Sequence, residues 1–435
     1  MIIIGGGFAG LKLARKLNNR EGFDILLIDK INYHQFQPLL YQVATAGLDA
    51  SNISFPLRKV FKNSRNVRIR LAEVQSVDTV NQQVKTDIGF FPFDILALAT
   101  GADTNFFGNR VLQENVMPMK STVEALRIRH QLIHHFEDAV MEKDPVELKK
   151  LMTVVIAGGG PTGVELSGAI AQMKTYVLPG DYPDLDFSSM EIILLEGSDR
   201  TLGAMSEKSG IQSRKYLERL GVKVMTNTLV RNYDGDRVEL NDGSFILSKM
   251  VIWAAGIRGN APAGIDPAFI VRGNRIRVNR FNRVEGTAHI YALGDVAYME
   301  TEKYPAGHPQ VANVAISQAV NLAKNLEKLK NLERFKSEDL SGFSPYEYRD
   351  KGSMATVGRN LAVVDIPRPR LHFGGFFAWL VWMLLHLVLL LGVKNRIHVM
   401  VNWVFNYITY NQDLRLIFRE FYVQQKPAGD PPRIP

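Results

Sequence analysis

Two blocks of the chain share one pattern of apolar and polar positions. "IIIGGGFAGLKLARKL" opens the sequence and "TVVIAGGGPTGVELSGAIAQM" begins at Thr153. In each, an apolar run rich in β-branched residues empties into glycines and continues with apolar residues at helical spacing, as at Leu11, Ala14 and Leu17. "FDILLID" and "MEIILLEG" follow as unbroken apolar runs, the signature of parallel strands covered on both faces. "FDILALATGA" and "KMVIWAAGI" echo each other as strands running into small-residue turns, and "AHIYALGDVA" adds a buried strand ending at Gly294 and Asp295. "LPGDYPDLDFSS" reads as an inserted loop and "SQAVNLAKNLEKLKNLERFK" as a basic helix. The prediction is an α/β chain with two Rossmann-like units. The opening strand has three apolar residues against the usual five or six, so the expectation is a trimmed or misassigned start.

The last 90 or so residues change character. "GGFFAWLVWMLLHLVLLLGV" (374–393) holds no Asp, Glu, Lys or Arg over twenty residues, long enough to span a bilayer. The next segment, "KNRIHVMVNWVFNYITYNQDLRLIFREFYV", is too often interrupted by polar residues for a second span. His386 in mid-run tilts the first toward lying in the interface rather than crossing it. "QQKPAGDPPRIP" reads as a disordered tail.

Composition narrows the chemistry. With 435 residues the chain is too long for one core. There is no cysteine, which removes disulfides, thiolate metal sites and cysteine-pair redox mechanisms, so electron chemistry requires a bound cofactor. From Ile366 onward eight Lys/Arg face three acids amid Trp, Phe and Leu, a mixture that favours an anionic bilayer surface over nucleic acid. No basic segment with a cleavage site opens the chain, so nothing indicates export. His34, His372, His386 and His398 lack metal-ligand spacing and read as packing or interfacial residues; no metal is expected.

A glycine turn at a helix start lets backbone N–H groups and the helix dipole meet a phosphate. One G-x-G-x-x-G alone is weak, but here each stands between strand and helix with an acid ending the next strand. Asp29 lies nineteen residues past Gly10, near the spacing of a ribose-holding acid. The two turns predict one resident nucleotide cofactor and one visiting nucleotide. Asp29 and Glu196 read as ribose acceptors, with solvated strand ends as the bland alternative. Glu196 would repel the extra phosphate of NADP, favouring NADH, while Arg200 nearby weakens that preference. Glu165, placed on the first turn of its helix, reads either as a dipole partner or as a carboxylate beside the reacting rings. Asp295 has a purely structural turn as its alternative.

Taken together, "GGGFAG", "LALATGA", "GGGPTGVE", "WAAGI", "YALGD", the segment "NYHQFQPLLYQVATAGL" (32–48) and the apolar C-terminus with "NWVFNYITY" resemble the type II NADH dehydrogenases. These are non-pumping NADH:quinone oxidoreductases of the two-dinucleotide-binding-domain flavoprotein superfamily, and the resemblance runs end to end. It implies FAD on Gly5, Gly7, Phe8, Ala9 and Gly10, with Asp29 and Lys30 at its adenosine ribose, Val74 at the adenine, and Ala99, Thr100, Gly101, Gly294, Asp295 and Ala312 along the cofactor. It implies NADH on Gly158, Gly160, Pro161, Thr162, Gly163, Glu196, Ala255 and Gly256, with Glu165 near the nicotinamide as the catalytic candidate. Quinone would meet Gln37, Tyr41, Asn313, Ser317 and Gln318. One departure stands out: the family's A-Q-x-A-x-Q segment reads "ANVAISQ" (312–318) here, so Asn313 and Ser317 replace glutamines and Gln318 falls one position late, leaving quinone affinity open.

The resulting expectation is an FAD domain of residues 1–118 and 283–345, an inserted NADH domain at 119–282 and a membrane-anchoring helical module at 346–435. The protein would sit peripherally or monotopically on the cytoplasmic face of the inner membrane, and a homodimer is left open. Sulfide:quinone and disulfide reductases share the fold but need cysteines. A ferredoxin-type reductase and a non-catalytic NADH-sensing flavoprotein adaptor remain as alternatives.

Overall fold

A computed structural model describes residues 1–328, 340, 342–410 and 412–417. Its first sheet is parallel throughout, in the order Ile290–Ala292, Leu96–Leu98, Ile2–Ile4, Ile25–Asp29, Val67–Leu71. The second repeats that plan as Met117–Pro118, Met250–Trp253, Thr153–Ala157, Glu191–Leu195, Val222–Met225. In both, the strand feeding the glycine turn is the one where the order reverses, and such a switch point leaves a crevice at the carboxyl ends of the strands. Ile2–Ile4 pairs on both sides and is almost wholly buried. Each unit also carries a three-stranded antiparallel meander that the sequence pattern did not show: Val74–Asp78, Gln83–Thr86 and Gly89–Pro92 in one, Val230–Tyr233, Arg237–Leu240 and Phe245–Leu247 in the other.

The crossings between units fall earlier than the expected boundaries. Met117–Pro118 is the edge strand of the second sheet. Ile257–Gly259 already pairs with Ala102–Thr104, and Ile265, Ile276 and Val278 share a core with Ile2 and Ile4. Residues 257–282 therefore pack with the first unit. "LPGDYPDLDFSS" is not a plain loop, since Leu178–Asp181 is helical and Phe187–Ser189 forms a 3-10 turn. The basic helix runs Ala312–Lys328; its predicted continuation to 336 and the tail lie outside the described residues.

In the C-terminal module the twenty-residue apolar run is not one helix. Arg370–Gly374 is the last strand of an antiparallel sheet with Ser353–Gly358 and Leu361–Pro367, another element missed from sequence. Gly375 (φ +81°) turns the chain into helix Phe376–Leu389, and Gly392 (φ +80°) turns it again into helix Val393–Thr409. Two glycines in the left-handed region thus break one apolar run into a strand end and a 14-residue helix. Among the described residues no helix is long and apolar enough to cross a membrane. The module is docked tightly: a Cβ at Gly168, on helix Pro161–Tyr176, would lie 1.5 Å from the Val357 carbonyl oxygen.

Candidate functional site

The two glycine turns are built alike. Gly5 (φ +101°) and Gly158 (φ +111°) hold backbone that L side chains avoid, and a Cβ there would come within 2.3 Å of the Ala99 oxygen and 2.5 Å of the Ala254 carbonyl. Gly10 and Gly163 abut the Gly5 and Gly158 oxygens, a Cβ of either falling at 1.9 Å. Gly7 and Gly160 differ: no atom lies within 4 Å of a Cβ built on them. They are also the N-caps of helices Phe8–Leu17 and Pro161–Tyr176, and neither helix has a side-chain cap. Each turn therefore offers uncapped helix N–H groups beside open space, which suits a pyrophosphate. Phe8 and Ala9 open the first helix; Pro161 and Thr162 open the second and are exposed.

The strand-ending acids fold back onto these turns. Asp29 accepts from the Gly6 N–H and, at 2.9 Å, from Ile31 N–H. Glu196 accepts from Gly159 N–H at 2.6 Å and from the Ser198 N–H and hydroxyl at 2.7 Å each. Burial raises the Asp29 carboxyl above its ordinary value, partly offset by the N–H donors and Lys30, which is itself exposed. Arg200 Nη2 donates to the Gly203 oxygen at 3.3 Å.

Further elements flank the two turns, Ala99 against Gly5 and Ala255 against Gly158. Ala99 N–H donates to Ile4 O at 2.8 Å, Thr100 Oγ1 to Asn260 O at 2.6 Å, and Gly101 O accepts from Asn260 N–H at 3.0 Å. Val74 opens its meander, and Ala255 and Gly256 follow strand Met250–Trp253. Gly294 N–H donates to Gln318 Oε1 at 2.8 Å, and Asp295 lies 3.8 Å from Lys120 Nζ. Burial raises the Asp295 carboxyl, with Lys120 and Arg275 opposing. Ala312 begins helix Ala312–Lys328. Gln318 is 1% exposed and braces the Gly294 turn, while the Ser317 hydroxyl meets Tyr346 at 2.7 Å and the Asn313 carbonyl.

A separate cleft opens where helices Leu40–Ala44 and Pro161–Tyr176 meet the C-terminal module; Tyr41, Gln42, Glu165, Trp379, Trp382 and Tyr407 are among its walls. Glu165 stands in the second turn of its helix, not the first, so the dipole reading loses its geometric basis. It is 8% exposed and accepts from Thr356 N–H at 3.3 Å. Burial pushes its carboxyl up to about 8, against a smaller opposing effect of Thr356 and Trp382. The Trp382 Nε1 itself has no regular hydrogen bond among the described residues. Tyr41 is raised well above an ordinary phenol by burial and by Glu165. Gln42 donates to the Tyr41 hydroxyl and accepts from Trp403 Nε1, both at 2.7 Å. Gln37, Asn313, Ser317 and Gln318 do not line this cleft; Gln37 Nε2 donates instead to the Lys120 oxygen at 3.2 Å.

A family model described as pyridine nucleotide-disulphide oxidoreductase matches residues 1–319, and one described as NDH2 C-terminal domain matches 351–410. The type II NADH:quinone oxidoreductase Ndh of Mycobacterium tuberculosis is 35% identical over 430 residues, covering 94% of this chain and 88% of the relative. This chain belongs to the type II NADH:quinone oxidoreductases. The type II NADH:quinone oxidoreductase of Staphylococcus aureus is 27% identical over 380 residues, 82% of this chain and 87% of its own. The structure of NDH2 from Plasmodium falciparum in complex with NADH superposes with a TM-score of 0.84 at 19% identity, over 96% of this chain and 99% of that one.

Within this type II fold, sequence reasoning missed the aromatic wall of the cleft. Trp379 stacks on Tyr407 at 5.3 Å, the Arg359 guanidinium lies 3.9 Å from Tyr407 and 4.1 Å from Tyr410, and Tyr410 stacks on Tyr176 at 4.3 Å. The aromatic richness of "NWVFNYITY" was the available signal, and it was used only as a mark of family resemblance. The approach of Lys120 to Asp295 was not visible either, because "PMKSTVE" looks like a plain helix start.

Proposed function

We infer that this protein is an FAD-dependent enzyme that oxidises NADH and passes two electrons to a membrane quinone without pumping ions. The duplicated glycine turn carries the reading: two open, uncapped helix N-termini, each braced by its own acid, fit one resident and one exchanging dinucleotide. Bound FAD supplies the capacity to accept a hydride and release electrons singly or in pairs. The residues of the chain position and exclude. We assign the first turn, with Asp29, Val74, Ala99–Gly101, Gly294, Asp295 and Ala312, to FAD. The second, with Glu196, Ala255 and Gly256, is assigned to NADH.

Quinone is assigned to the cleft of Tyr41 and Glu165, whose aromatic walls suit a flat ring and whose buried, largely protonated carboxyl can donate a hydrogen bond or a proton to a carbonyl. The two C-terminal helices support peripheral attachment. Ala378, Trp382 and His386 face inward, whereas Phe377, Leu384, Val388, Val393 and Ile408 are exposed. We place this face on the anionic cytoplasmic surface of the inner membrane.

Anaerobic stopped-flow tests the function. NADH should bleach the flavin of the purified protein and a soluble quinone analogue should restore its colour. A flavin left oxidised by NADH would favour the adaptor, and reduced ferredoxin-type proteins in place of reduced quinone would favour the alternative reductase.

A further inference from the structure

The turn at residues 119–122, where the chain enters the second unit, is held with unusual completeness. Glu124 accepts from both Lys120 N–H and Ser121 N–H at 2.8 Å, and Ser121 caps helix Thr122–Met141 in return. From the first unit, Gln37 donates to the Lys120 oxygen at 3.2 Å, and Gln35 Oε1 accepts from Thr122 N–H at 2.9 Å and its hydroxyl at 3.1 Å. These links fix the backbone from which the Lys120 side chain leaves. The Lys120 ammonium, 20% exposed, reaches 175 residues along the chain to stand 3.8 Å from the Asp295 carboxylate, itself 19% exposed.

Asp295 belongs to the FAD crevice by packing: a Cβ on its neighbour Gly294 would sit 3.4 Å from that of Ala9, on the first glycine-turn helix. With Asp29 assigned to the adenosine end of that turn, Gly294 and Asp295 would hold bound FAD toward its opposite end, at the seam between units. Lys120 comes from across that seam. Bound FAD that accepted a hydride, two electrons and one proton, would add one negative charge to the crevice. At 19–20% exposure, water screens a cation beside that charge poorly.

We propose that Lys120, steered by Gln35, Gln37 and Asp295, is the cation that stabilises the reduced cofactor and raises its potential. Its charge acts on the first turn's cofactor site, and the assignment rests on that turn holding FAD.

The experiment is a spectral redox titration of flavin in the full-length holoenzyme, comparing the parent with Lys120→Met, Lys120→Gln and Lys120→Arg. The neutral variants should fall by at least tenfold in the reduced-to-oxidised ratio at a fixed potential, about 30 mV for a two-electron couple. The arginine variant should stay near the parent. Equal midpoints in all four proteins would overturn the proposal. So would loss of FAD from both neutral variants with retention in the arginine one, which would make Lys120 a structural brace. A parent protein without FAD would refute the cofactor assignment itself, a separable outcome.

Discussion

Glu165 Oε1 accepts the Thr356 backbone N–H at 3.3 Å, across the seam between the NADH-side helix and the C-terminal sheet. A carboxyl with an ordinary value of 4.5 is held at about 8 there, chiefly by burial. Folded Glu165 keeps its proton while the unfolded chain has released it, so its effect on stability declines as pH rises from about 4.5 to about 8 and then levels off. Glu165→Gln removes that decline. The melting temperatures of the two proteins should match near pH 4.5, and the variant should be several degrees higher at pH 8.5. Parallel profiles would mean that Glu165 is ionised in the fold. In the quinone half-reaction, a rate inflection near pH 8 should vanish in the variant while the NADH half-reaction is unmoved.

Gly7 and Gly160 separate the two nucleotide sites by mutation. Both have ordinary extended backbone with φ near −70°, and nothing protein-made occupies the space a side chain would enter. Valine at either position should therefore fold normally and obstruct a phosphate. Gly7→Val should purify colourless at a normal melting temperature for the apoprotein. Gly160→Val should stay yellow and need at least tenfold more NADH for flavin reduction. An exchange of the two phenotypes would reverse the assignment of resident and visitor.

Glu196 predicts coenzyme choice. Its carboxylate is fixed by Gly159 and Ser198 at the end of Glu191–Leu195, where a 2′-phosphate would arrive, and Arg200 is occupied with Gly203. Glu196→Gln should raise kcat/KM for NADPH by about tenfold, the scale of one charge repulsion of about 1.4 kcal/mol. The same change should lower it for NADH. An unchanged NADPH/NADH ratio would leave Glu196 as a brace of its turn alone.

What was legible in the sequence was what local pattern dictates. Continuous apolar runs gave the parallel strands, and glycines at fixed spacing gave the turns, because Gly5 and Gly158 need conformations and close approaches that few other residues tolerate. The expected start of Glu165's helix was close enough to find the residue, but its environment comes from Thr356 and Trp382, about two hundred residues away. The length of the apolar run overstates its helix because hydropathy is blind to the turns at Gly375 and Gly392. Packing enforces the second: a Cβ on Gly392 would lie 2.4 Å from the Phe55 ring. His386, expected to be a packing or interfacial residue, packs inward. It stacks on Trp382 at 4.1 Å and bonds its carbonyl at 2.7 Å, facing protein.

That inward turn of Trp382 and His386 leaves the opposite face of the helix pair to its surroundings. Leu384 is 56% exposed, Val388 64% and Ile408 72%, with Phe377 at 73% beside them. Burial of such a side chain in the acyl boundary is worth about 1.5–3 kcal/mol, so a glutamate in its place should weaken attachment roughly tenfold or more. Leu384→Glu and Ile408→Glu should each move the holoenzyme from pellet to supernatant in cosedimentation with anionic-lipid vesicles, while NADH oxidation with a soluble quinone analogue persists. Carbonate at alkaline pH should release part of the parent protein, unlike an integral control. If the variants instead halve the mass in solution and leave vesicle binding unchanged, the apolar face joins two copies of the chain, and lipid attachment must lie elsewhere.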